Sequence, residues 1–103
     1  MMLVSRAAKA LLALLFCVPL LVSCRAALTE RECVRLLDHY TDKQIDQARP
    51  STRAAERSVL IDQARLRAAA DPEFATCTSK VSRSAYECAM AAGSADAIER
   101  CLL

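Results

Sequence analysis

The sequence predicts an all-α fold, with four or five short helices closed into a small disulfide-stapled bundle. Three observations lead there. Apolar residues recur at helical spacing between Ser, Thr and Asp cap signals. No segment alternates apolar and polar residues over strand length, and the Val59-Leu60-Ile61 run is too short to argue for a sheet. Four cysteines, Cys33, Cys77, Cys88 and Cys101, lie well beyond an apolar N-terminal run of the kind that exports a chain to an oxidising compartment.

Each helix follows from local signals. Thr29-Glu30-Arg31-Glu32 fits a capping box, with Leu28 and Cys33 at the flanking staple positions. The first helix then presents Cys33, Leu36, Leu37, Tyr40, Gln44 and Ala48 along one side, widened by Val34 and Ile45, and Pro50 stops it. Ser51 or Thr52 is expected to cap a second helix from about Arg53 to Ala70, carrying Val59, Leu60, Ile61, Ala64, Leu66 and Ala68. Asp71-Pro72 ends it and starts a short third helix that closes near Val81, with Phe74 and Cys77 on one face. Ser84-Ala85-Tyr86-Glu87 reads as another capping box, and Gly93 as a left-handed C-terminal cap. Ser94 is expected to cap a last helix with Ile98, Cys101 and Leu102 facing inward.

The N-terminus reads as an address. Arg6 and Lys9 precede a run, Ala10–Val22, in which every residue but Pro19 is aliphatic, aromatic or cysteine. These thirteen residues suit a secretory signal and fall short of the roughly twenty apolar residues that span a bilayer. The run ends in Leu21-Val22-Ser23-Cys24. That stretch resembles the bacterial lipobox: a leucine, a small or branched residue, a small residue, then cysteine. The resemblance covers the first quarter of the chain. It implies cleavage before Cys24 and acylation of that cysteine. Arg25, rather than aspartate, follows it, which by the family pattern points to the periplasmic face of the outer membrane. The alternative is an ordinary secretory signal, cut after Cys24 or Ala26, that releases a soluble chain.

The expected organisation is a signal peptide over 1–23, a lipid-anchored tether over 24–28 and a helical four-cysteine domain over 29–103. Cleavage removes Arg6 and Lys9, the whole of the +2 formal charge, and leaves twelve basic residues facing twelve acidic ones. A nucleic-acid-binding domain would gather a basic excess on one face, so no nucleic-acid partner is expected. About eighty residues form one small domain, whose aromatic side chains are only Tyr40, Phe74 and Tyr86. At that size a core supplies only about 3–5 kcal/mol, and covalent staples are needed.

Six cysteines reduce to four once Cys17 leaves with the signal and Cys24 is acylated. Cys33, Cys77, Cys88 and Cys101 then form two bridges. Three pairings are open to four cysteines. Cys33–Cys77 with Cys88–Cys101 is favoured, since the second pair would join adjacent helices across a short turn.

Candidate chemistry is sparse. His39, the only histidine, falls on the polar side of the first helix between Arg35 and Lys43 and is expected to be exposed. Cys33 lies about 240° round that helix from it, so the two cannot form a dyad. The cysteine spacings of forty-three, ten and twelve intervening residues miss the close pairs of structural zinc sites, so no metal is expected. The carboxylate pairs Glu30/Glu32, Asp38/Asp42 and Asp42/Asp46 read as a solvated face. Arg49, Arg53 and Arg57 read as an ordinary polar stripe. Tyr86-Glu87-Cys88-Ala89-Met90 followed by Cys101 resembles the C-terminal end of small four-cysteine exported bacterial proteins of unknown function, which implies no activity. The sequence thus leads to a non-enzymatic envelope lipoprotein without catalytic residues or cofactor. It would be held to a membrane by Cys24 and present a helical domain to a protein partner. A secreted effector or inhibitor with the same fold is the alternative.

Overall fold

A computed structural model describes residues 27–103, so Cys24 and the signal lie outside the described residues. The described chain is all-α. Helix α1 spans Glu30–Ala48, α2 Ala54–Ala69, α3 Cys77–Lys80, α4 Arg83–Ala91 and α5 Ala95–Leu102, with a 3₁₀ turn at Phe74–Thr76.

Helix α1 starts where the Thr29 side chain accepts from the Glu32 backbone N–H while the Glu32 carboxylate accepts from the Thr29 backbone N–H. The reciprocal pair satisfies two donors that a helix start otherwise leaves open. The helix ends at Ala48, one residue before the position that Pro50 disfavours for helix. Every other α-helix packs on α1, whereas α2 touches only α1 and the 3₁₀ turn.

The core is formed without α2. Leu28, Cys33, Leu36, Tyr86, Ala89 and Ile98 make one buried cluster, edged by Tyr40, Phe74, Cys77, Val81, Met90, Ala92 and Cys101. Leu28, ahead of the expected domain start, is part of this core. Ile98 is the largest side chain with no exposed surface, and Ala89 in the same cluster is likewise fully buried.

Several local expectations are corrected. The inward stripe of α1 turns along the helix, so that Thr41 and Ile45 are buried while Gln44 and Ala48 are exposed. Neither Ser51 nor Thr52 caps α2. Arg53 occupies the cap position without a side-chain hydrogen bond, and the Thr52 hydroxyl instead donates back to the Arg49 carbonyl at 2.7 Å. Val59 and Leu66 point outward, and no residue of α2 is fully buried. Asp71 accepts from the Glu73 N–H in a tight turn, so the third segment opens as a 3₁₀ turn before α3. Ser82, not Ser84, caps α4 by accepting from the Ala85 N–H. Gly93 is not left-handed; α4 closes through an extended Ala92, and the chain passes straight to Ser94. Ser94 does cap α5, accepting from the Ala97 N–H. Ile98 faces inward as expected, but Leu102 is 41% exposed.

Two disulfides complete the frame. Cys33 pairs with Cys77 across a Cα–Cα distance of 6.2 Å, tying α1 to α3. Cys88 pairs with Cys101 at 5.7 Å, tying α4 to α5.

Candidate functional site

Three features carry chemistry: an ion-paired cluster at the start of α1, the seam between α1 and α2, and a cleft over the second disulfide.

At the start of α1, Glu32 does two jobs. One is the capping box. The other is a two-pronged ion pair with Arg83, whose second guanidinium nitrogen also donates to the Ala27 carbonyl at 3.2 Å. The Arg83 guanidinium lies 5.7 Å from the centre of the Tyr86 ring, within cation–π range. Hydrogen bonds from Arg83 first, then from the Thr29 backbone, hold the Glu32 carboxyl down at about 2, from an ordinary 4.5. The arrangement pins the N-terminal approach of the domain onto α4. Both Glu32 carboxylate oxygens and both terminal nitrogens of Arg83 are engaged, which makes the cluster an anchor.

The α1–α2 seam takes up Asp38, Asp42 and Asp46 of the expected solvated face and Arg49 and Arg57 of the expected polar stripe, whereas Glu30 and Arg53 stay exposed. Arg57 reaches Asp42 at 2.6 Å and Asp46 at 2.7 Å, while also donating to the Asp42 carbonyl. Arg65 grips Asp38 with a two-nitrogen fork, and Arg49 pairs with Glu56. Late residues of α2 meet early residues of α1, so the two helices run antiparallel. A guanidinium fork matches a carboxylate in direction as well as charge. The seam therefore fixes the register of a helix whose apolar side chains, Leu60, Ile61, Ala64 and Ala68, are only half-buried.

His39 is half-buried rather than exposed. Its Nε2 lies 3.0 Å from the Ala92 carbonyl and donates to it, joining α1 to the end of α4. Tyr40, one residue on, donates to the Glu99 carboxylate of α5. This bond to Glu99, then burial and the nearby charges of Glu99 and Asp96, push the Tyr40 phenol up from 10. Both side chains act as ties between helices. The signal missed in the sequence is a partner more than fifty residues away, which no local pattern contains.

A surface cleft lies over the second bridge. Lys80, Ser82, Ser84, Cys88, Cys101 and Leu102 line a shallow space of about 480 Å³. Cys88 is exposed at this surface and Cys101 half-buried, whereas Cys33 of the other bridge is 3% exposed. The expected disulfide cysteines are thus all brought together in pairs, but in contrasting surroundings. Among the described residues, no three His, Cys, Asp or Glu side chains gather as a metal-binding group. No helix among the described residues is long and apolar enough to cross a membrane. No family model, curated protein or solved structure matches the chain.

Proposed function

We propose that this chain is a small non-enzymatic lipoprotein of the bacterial cell envelope, anchored through Cys24 and presenting its helical domain to a protein partner. The observation that carries the reading is Leu21-Val22-Ser23-Cys24 at the end of a thirteen-residue apolar run. Of the six cysteines, Cys17 leaves with the signal, Cys24 is the anchor, and the two bridges account for the remaining four. Stable attachment needs more than one acyl chain, and a lipobox cysteine carries lipid on both its thiol and its amino group.

The short tether has a geometric consequence. Leu28 is part of the core, and at roughly 3.5 Å per extended residue four residues reach about 14 Å. The domain therefore sits against the bilayer surface with the Arg83–Glu32 end nearest the lipid. The favoured location is the periplasmic face of the outer membrane. The side chains singled out in the sequence as nucleophile or base are engaged: His39 is tied to Ala92, the bridges hold all four domain cysteines, and Asp38, Asp42 and Asp46 hold arginines.

The test is lipid labelling, membrane fractionation and intact mass on the native chain and on Cys24→Ala. The reading expects a lipid mass on a chain beginning at Cys24, lost together with membrane attachment in the variant. An unlipidated soluble chain beginning at Arg25 or Ala27 would overturn it and favour the secreted effector or inhibitor.

A further inference from the structure

We propose that the Cys88–Cys101 bridge is a site of thiol–disulfide exchange with a protein dithiol, while Cys33–Cys77 is a permanent staple. The two bridges differ in what surrounds them. Cys33 lies inside the buried cluster with Leu28, Leu36 and Ile98, and Cys77 packs against its edge. Cys77 is half-buried and Cys33 is only 3% exposed, so this bridge offers a nucleophile far less surface than one ending at the exposed Cys88. Cys88 stands exposed in an open cleft whose rim carries the cation of Lys80 and the hydroxyls of Ser82 and Ser84. A thiolate is the attacking species in exchange, and a neighbouring ammonium group favours it.

The direction of attack follows from exposure. The incoming thiolate bonds to Cys88 Sγ, the S–S bond breaks, and Cys101 Sγ leaves as a thiolate that takes a proton from solvent. The second thiol of the dithiol, as a thiolate, then attacks its own sulfur in the mixed disulfide and releases Cys88. The bridge gains two electrons and two protons, and the dithiol is oxidised to a disulfide. Reverse transfer closes the bridge again.

Opening this bridge leaves the fold in place. Helix α5 keeps the buried side chains of Ala95 and Ile98, the Ser94 cap, and the tie from Tyr40 to Glu99. Only its last turn, Cys101 and Leu102, loses its tether to α4. The bridge spans thirteen residues of chain, so reduction frees a short segment while the forty-four-residue closure by Cys33–Cys77 stays intact. This proposal does not depend on acylation at Cys24.

The test is timed reduction of the native oxidised protein by dithiothreitol, with alkylation and peptide mass mapping. Cys88 and Cys101 are expected to label at least about tenfold faster than Cys33 and Cys77, with the helical circular-dichroism signal retained. A C-x-x-C protein lacking its resolving cysteine is expected to become trapped on Cys88. Equal or reversed labelling rates, loss of helix when the second bridge opens, trapping on Cys101, or no trapping would each overturn the proposal. Cys88→Ser/Cys101→Ser is the control: it should keep the helical signal, keep Cys33–Cys77 closed and abolish trapping.

Discussion

Ile98→Ala tests which residue locks the C-terminal helix onto the rest. Ile98 has no exposed surface and lies in the cluster with Leu28, Leu36, Tyr86 and Ala89. The substitution deletes three carbon groups, worth about 2.4 kcal/mol at roughly 0.8 kcal/mol each. The cavity left behind adds to this, because Ala89 is too small to fill it and the Cys33–Cys77 bridge restrains α1. The expected loss is about 3–4 kcal/mol, which for a domain of this size lowers Tm by about 12–30 °C. Leu102, four residues on, is 41% exposed, and Leu102→Ala should cost about 1 kcal/mol or less. Urea and thermal unfolding followed by far-UV circular dichroism, with both bridges intact, measure the two variants side by side. A loss below about 1 kcal/mol at Ile98, or an equal loss at Leu102, would refute the assignment of Ile98 as the anchor of α5.

Three further outcomes are expected. Removing the Cys33–Cys77 bridge by paired alanines should cost about 4 kcal/mol, against about 3 kcal/mol for Cys88–Cys101, from the longer loop that the first closes; unfolding midpoints in the reverse order would contradict this. Ser82→Ala should lose about 1 kcal/mol of stability and Ser84→Ala close to none, because only Ser82 accepts from the helix start; equal losses would place the cap wrongly. Glu32 has a folded-state pKa below its unfolded one. Its contribution is therefore complete above pH 4.5 and lost as pH falls through about 2. Acid unfolding of Glu32→Gln should be flatter across that window than that of the native chain, as read by circular dichroism against pH, and identical slopes would rule out the Arg83 pairing as its source.

Much of the local framework is legible in the chain because its signals act over three or four residues. The Thr29/Glu32 box, the stop before Pro50 and the Ser94 cap need only their own neighbours. The misread signals are those where two local solutions compete. Ser82 and Ser84 are both able to start α4, and the extended backbone at Val81 and Ser82 brings the chain into helix at Arg83. Gly93 is free to turn left-handed, but an extended Ala92 already redirects the chain and Gly93 is not required to do so. The site residues divide the same way. Four cysteines in an exported domain signal two bridges, while their unequal exposure depends on which helices cover them.

The amino-acid order by itself determined the helical class, most helix boundaries, the neutral charge after residue 23 and the number of cysteines left to pair. These depend on composition or on bonds within one helical turn. Only the tertiary structure decided the roles of His39, Tyr40, Arg57, Arg65 and Arg83, because each finds its partner on another helix. It also decided that α2 lies outside the core, joined to α1 by guanidinium–carboxylate pairs, and that Cys33 is buried while Cys88 opens onto a cleft. Burial is a property of the assembled packing, and no window of sequence contains the surfaces that produce it.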